Sequence, residues 1–275
     1  MTADVLHFRL AQTQRLSRFG VSASVDMHCH CLPGIDDGPA TLADALAVCR
    51  ALVEDGITHV VATPHQLGPY EEVDAVRVRQ ATNTLQAELV AAAVPLTVRP
   101  GAEVRADERL VGLLDAGRLL TLADGHAYLL VELPHSTMLD LRALIETLVA
   151  RGVTPIISHP ERHAALTRSP PLLLPWLARG ALLQVTAASL TGAFGPGTQR
   201  AAWQMVDDGW VSLVASDAHD VTGRAPSMTL AVDAIVARCG HAVARRLCVQ
   251  NPQAVFDGRP IVKPRINTRT AGGRR

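Results

Sequence analysis

The chain has 275 residues, 48% of them hydrophobic, with Lys+Arg and Asp+Glu equal at 26 each, which excludes an intrinsically disordered chain and a broad basic field for nucleic acid. Its length suits one barrel-sized domain or two smaller ones. Five cysteines, odd in number and without CxxC spacing, suit reduced thiols and a cytoplasmic location, and no apolar run is long enough to span a bilayer.

Residues 1–23 carry scattered Arg and no continuous apolar stretch, which predicts a loose extension and argues against a secretory signal. Seven short β-rich runs follow: Ser24–His28, His59–Ala62, Leu96–Arg99, Tyr128–Val131, Thr154–Ile157, Leu182–Val185 and Val211–Ala215. They recur at roughly thirty residues, the size of one βα unit. The segments between them read as amphipathic helices over 71–93, 108–116, 139–151, 172–179, 198–208, 227–239 and 242–249. In the first intervening segment, Leu42, Ala45, Leu46, Cys49, Leu52 and Val53 share a helical face and Gly56 ends the run, so Cys49 reads as core packing. No Ser/Gly linker or charge block divides the chain, so a single α/β domain with a parallel sheet is predicted over 24–262. The basic end, 263–275, reads as a disordered tail, contact with acidic lipid or a partner being the alternative.

The chemistry lies at the ends of these runs. They read VDMHCH, VVATPH, VRPGAE, LLVELP, PIISHP, LLQVTAAS and LVASDAH, so a His, Glu or Asp stands at or just past the C-terminal end of six of the seven. In a parallel βα barrel that rim is where active sites are built. Strand alternation puts His28 and His30 on one face and Cys29 and Cys31 on the other, which favours a histidine-bound ion over a Cys/His zinc knot. Asp217 and His219 repeat the two-residue spacing. Glu103 and Glu132 would be costly to bury unless cations offset their charge. Asp36 and Asp37 lie in LPGIDDGP, where a turn or helix cap competes with metal binding; Asp37 is the favoured ligand. Arg162 and Arg224 each follow a candidate ligand and have the fork geometry for phosphate, a surface salt bridge being the alternative for either.

No P-loop, GxSxG elbow or GxGxxG is present. Cys239 and Arg245 match the C-x5-R spacing of cysteine-dependent phosphatases, but no strand precedes them and only Gly240 lies between them to shape a phosphate cradle, so a cysteine mechanism is rejected.

Taken together, DMHCH, LPGIDDGP, ATPH, GAE, LLVELP, SHPER, QVTAASLTGAFG and ASDAHDVTGRAP resemble the polymerase-and-histidinol-phosphatase (PHP) family, specifically its bacterial capsule and exopolysaccharide tyrosine-protein phosphatases. The likeness runs from about residue 25 to about residue 258. It implies a distorted (β/α)7 PHP barrel holding three divalent metal ions, manganese in preference to iron or zinc. By the resemblance, His28, His30 and Asp217 hold one ion, bridged by Glu103 to another. Asp37, His65 and His219 serve a second, and Glu103, Glu132 and His159 a third, with Arg162, Arg224 and Asp37 as the catalytic set. His163 stands where relatives commonly carry an aromatic residue.

The implied activity is protein-tyrosine phosphatase, by attack of a metal-bridging hydroxide and without a covalent intermediate. The implied substrate is the Tyr-rich tail of a tyrosine kinase controlling polysaccharide synthesis, with no nucleic-acid partner. The alternatives are a PHP phosphatase or nuclease acting on a small-molecule or nucleotide ester, and a metal-dependent binding module without catalysis.

Overall fold

All seven predicted runs form strands, each within one residue of its expected bounds, in a computed structural model that describes residues 18–134 and 137–262. Most of the predicted extension at 1–23 and all of the predicted tail at 263–275 lie outside the described residues. In chain order the strands are β1 (Val25–Cys29), β2 (His59–Ala62), β3 (His65–Gln66), β4 (Thr97–Pro100), β5 (Glu103–Arg105), β6 (Tyr128–Glu132), β7 (Thr154–Ser158), β8 (Leu182–Thr186) and β9 (Val211–Ala215). Two were not predicted, β3 and β5. Each resumes a strand path just left by β2 or β4.

Every strand pair is parallel, and where the resemblance implied a distorted seven-stranded barrel the strands form no closed barrel among the described residues. They divide into a three-stranded sheet, β1-β2-β4, and a six-stranded sheet, β3-β5-β6-β7-β8-β9. The breaks fall at Thr63-Pro64 and at Gly101-Ala102. Pro64, which has no N–H to donate, lies in the first break, and Gly101, a poor strand former, lies in the second; Pro155 by contrast is accommodated near the start of β7. Between β1 and β9 a single parallel bridge, Cys29 with Ala218, stands in for a ladder, supported by His30 N donating to Ala218 O and Asp217 N donating to His28 O.

The enclosed face has two layers. Toward the N-terminal ends of the strands it is apolar: Val25, Met27, Val61, Tyr128, Leu130, Ile156, Leu182 and Leu213 pack with Val255 and Phe256 from the last helix. With a period of two, the same face continues into His65, Glu103, Glu132, Gln184 and Asp217. Gly101 is needed here, because a Cβ would lie 2.5 Å from Val61 Cγ1. On β1 the alternation is broken by a register shift between Asp26 and Cys29. Met27 therefore joins the inner layer while Cys29 and Cys31 join the outer core, and His28 and His30 turn to the interior.

The outer faces bury the helices. Leu42–Glu54 is capped by Thr41 and buries Ala45, Val48, Cys49, Leu52 and Val53; Gly56, at φ 94°, ends it as expected. The helix predicted over 71–93 spans Ala75–Ala91, because Asp74 accepts from Arg77 N and sets its start. The segment predicted over 172–179 is a 3₁₀ turn, Pro170–Leu173, running into the short helix Leu174–Leu177. Short helices at Ala164–Arg168 and Ala187–Thr191 were not predicted, each being too brief to show a helical period. The helix predicted over 242–249 continues from His241 to Phe256 through a π turn at Arg246–Gln250. No helix among the described residues is long and apolar enough to cross a membrane.

Candidate metal centre

All nine predicted donors converge at the C-terminal rim. The tightest group joins strands from opposite ends of the sequence. His28 Nε2 lies 3.2 Å from His30 Nε2, 3.2 Å from Asp217 Oδ1 and 3.4 Å from Glu103 Oε2, and His30 Nε2 is 3.6 Å from each carboxylate. All four side chains are essentially buried.

The tautomers are set from behind. His30 Nδ1 lies 2.6 Å from Asp36 Oδ2, an acceptor, so the proton sits on Nδ1. Gln184 Oε1 accepts from His159 N and stands 2.9 Å from His28 Nδ1, so that nitrogen donates too. Two Nε2 lone pairs then face each other with two carboxylate oxygens beside them, an arrangement that repels itself unless a cation sits among them. Metal–ligand bonds of about 2.1 Å place ligand atoms about 3.0 to 3.4 Å apart, close to the spacings found. Both oxygens of Glu103, Asp217 Oδ1 and His219 Nε2 are buried without a hydrogen-bond partner. The donor set therefore fits divalent ions.

Three further groups bring their ligand atoms together: His30, Asp37, His65 and His219; His65, Glu103 and Glu132; and His28, His159 and Asp217. In the first, Asp37 Oδ1 is 3.4 Å from His65 Nε2 and 3.3 Å from His219 Nε2, the grouping implied by resemblance with His30 added. The other two differ from the implied partition. His159 Nε2 approaches Glu103 Oε1 at 2.8 Å, as expected, but Glu132 closes with His65 instead of with His159.

Two ligands have backbones that sequence patterns do not reveal. His159 (φ 29°) and Asp217 (φ 54°) are both in the left-handed region at the ends of β7 and β9. Such strain is stored where surrounding structure over-determines it. At His159 it turns onto the inner face a side chain that simple alternation from Ile157 would send outward.

The charges are strongly mutual. Burial pushes the Asp217 carboxyl up, but the cationic groups around it, Arg224 and Arg162 among them, override it and hold it well below the usual carboxylate range. Glu132 is pushed up to about 7 by burial and by Glu103 beside it. Burial pushes His219 down to about 4, favouring the neutral imidazole a metal requires.

Arg162 Nη1 and Arg224 Nη2 both donate to Asp217 Oδ2, the latter at 2.7 Å, so the salt bridge weighed for each is made to the centre itself and not to the surface. Both guanidiniums remain partly exposed at its rim. His163, where relatives commonly carry an aromatic residue, is buried with both ring nitrogens unpartnered. Cys239 ends an outer helix, and burial and Asp207 push its thiol up, the reverse of what a nucleophilic cysteine needs.

A family model described as capsular polysaccharide synthesis, CpsB/CapC, matches residues 24–257. The chain belongs to the CpsB/CapC family. Among relatives of this CpsB/CapC chain, tyrosine-protein phosphatase YwqE of Bacillus subtilis (strain 168) is 35% identical over 201 residues, covering 73% of this chain and 79% of the relative. Tyrosine-protein phosphatase CpsB of Streptococcus pneumoniae is 27% identical over 240 residues, 84% of this chain and 98% of the relative. A chain from crystal structures of YwqE and of CpsB from those two bacteria, described as metal-dependent tyrosine phosphatases, superposes with a TM-score of 0.83 at 31% identity, covering 87% of this chain and 98% of that one.

Sequence reading missed several residues that shape the site of this CpsB/CapC protein. Gln184 lies in the one run with no acid or histidine at its end. Asp26, buried under β1, accepts from Ser216 N at 3.0 Å and from Ser216 Oγ, tying β1 to β9 next to Asp217. Glu161 of SHPER accepts from Thr186 N at 2.9 Å and Ser189 Oγ at 2.7 Å, fastening the turn between His159 and Arg162 to the end of β8. An acid within an apolar strand run was the available signal for Asp26; Glu161 and Gln184 gave none.

Proposed function

We propose that the chain is a metal-dependent protein-tyrosine phosphatase acting on a phosphotyrosine protein of capsule or exopolysaccharide synthesis, with the Tyr-rich tail of the controlling kinase as partner. The observation that carries this reading is the meeting of nine metal-type donors with two partly exposed arginines at one rim. The names of YwqE, CapC and CpsB support the substrate class. The two sheets then read as one interrupted seven-stranded barrel of the PHP type, with a domain over 24–262 and three divalent ions, manganese preferred, held by His28, His30, Asp37, His65, Glu103, Glu132, His159, Asp217 and His219.

Bound divalent ions supply Lewis acidity at the phosphoryl group and lower the pKa of water there. The chain's own groups do the rest. Arg162 and Arg224, anchored on Asp217, turn their remaining N–H groups toward the phosphate oxygens and spread the charge that develops on them. Asp37, with 43% of its side chain exposed, combines metal binding with a catalytic position at the mouth. A phenolate leaves readily, its pKa being about 10, so the site works without a dedicated general acid.

The deciding experiment is phosphate release from a phosphotyrosine peptide, histidinol phosphate and a nucleotide monoester, with and without added manganese. We expect manganese-dependent turnover of the peptide above both other esters, abolished in His65→Ala and unchanged in Cys239→Ser. Activity surviving His65→Ala but lost in Cys239→Ser would overturn the metal mechanism; preference for either small ester would overturn the substrate class.

A further inference from the structure

We propose that Phe194 determines specificity in this centre, as the aromatic wall on which the ring of an aryl phosphate packs. The inference rests on the phosphatase reading for its substrate and on the structure for its residue. The chain holds only four Phe, two Tyr and three Trp. Among the described residues Tyr128, Trp176, Trp210 and Phe256 are buried in the core, and Phe19 and Trp203 pack against outer helices. Phe194 and Tyr70 alone of the described aromatics touch side chains of the candidate site. Tyr70 lies flat on His65, at 5.3 Å and 12°, so it covers a metal donor.

Phe194 is half-buried beneath Arg162, whose guanidinium carbon is 4.5 Å from the ring centroid. Its loop is preformed. Gly192 (φ 92°) and Gly195 (φ 85°) bracket it, and Ala193 N and Gly195 N donate to Ala188 O and Gly192 O. Gln199 Nε2 and Trp203 Nε1 both donate to Leu190 O and pin the preceding turn. At Gly192 a side chain would be strained by its φ and would crowd Gln199 at 3.2 Å, so the loop admits little other geometry.

An aryl ring is joined to phosphorus through one ester oxygen. A phosphate seated on Arg162 therefore brings the ring within reach of the aromatic side chain that backs the same guanidinium. Offset or edge-on ring contacts add attraction beyond simple apolar burial, and an alkyl ester cannot make them. Cation–π contact with Arg162 serves aryl and alkyl phosphates alike, so only the ratio between them reports this role.

The test titrates the manganese-loaded full chain with phenylphosphonate and methylphosphonate by calorimetry. The wild type is expected to prefer the phenyl compound. Phe194→Leu, and Phe194→Met as a second ringless variant, lose roughly fivefold of that preference while methylphosphonate affinity stays within about twofold, and Phe194→Trp keeps it. Equal weakening of both phosphonates, a phenyl preference that survives loss of the ring, or a wild type without one overturns the proposal. Retained phenyl preference without phosphate release from any aryl phosphate upholds the binding role and overturns the phosphatase reading instead.

Discussion

Asp36 stands behind the centre and orients it, as does Gln184. Each fixes a histidine proton on Nδ1 and leaves Nε2 for coordination. Loss of such an orienting partner reduces metal affinity by about ten- to hundredfold. Asp36→Ala and Gln184→Leu are therefore expected to weaken manganese binding by that factor in a metal titration, with the fold retained by circular dichroism. Asp36 also accepts from His65 N at 2.9 Å and Gly38 N at 3.0 Å, so the Ala variant is the more damaging. Gly38 shows the tolerance of this loop: an added Cβ would lie 2.5 Å from His30 O. Gly38→Ala is expected to destabilise the protein by about 1–3 kcal/mol, read as a lower denaturant midpoint. In the sequence Asp36 and Asp37 compete for one role. The structure gives each its own, because the turn aims one carboxylate behind His30 and the other at the mouth.

Among the elements, one cap comes from elsewhere in the chain. Helix Met228–Cys239 has no side-chain cap of its own at Ser227. Asp55, at the end of helix Leu42–Glu54, accepts instead from Met228 N at 2.5 Å and Thr229 N at 3.1 Å, while Thr229 Oγ1 donates to Asp55 O. Asp55→Ala thus removes a cap from one helix by a change in another. We expect a loss of about 1–2 kcal/mol, or roughly 2–8 °C in Tm by calorimetry, with metal affinity unchanged. Local pattern found both helices, since each has an apolar stripe, but a cap contributed across 173 positions has no local signature. The same limit hid β3 and β5. Strands of two or three residues show no alternation, and only their partners, β5 for β3 and β6 for β5, identify them.

Over the whole molecule, folding brings Glu103, Asp217, Glu132 and Asp37 together with five histidines, most of them out of water. Cations bound to the folded chain and not to the unfolded one stabilise it by about 2.7 kcal/mol at a hundredfold excess over Kd. Chelation is therefore expected to lower Tm by several degrees and manganese to restore it, while His28→Ala removes most of the manganese response; a Tm indifferent to chelator would contradict a metal-bearing fold. Much of this was legible beforehand. Hydrophobic runs and turn residues act locally, so the seven strands, the parallel architecture and nine donors at one rim follow from the sequence, and the motifs implied the family. The partition of those donors does not. His159 reaches the centre through a left-handed backbone, β1 turns His28 inward through a register shift, and breaks at Pro64 and Gly101 leave two sheets where the resemblance implied one distorted barrel. These depend on which strand ends meet in space, and that is decided by tertiary packing between residues nearly two hundred positions apart.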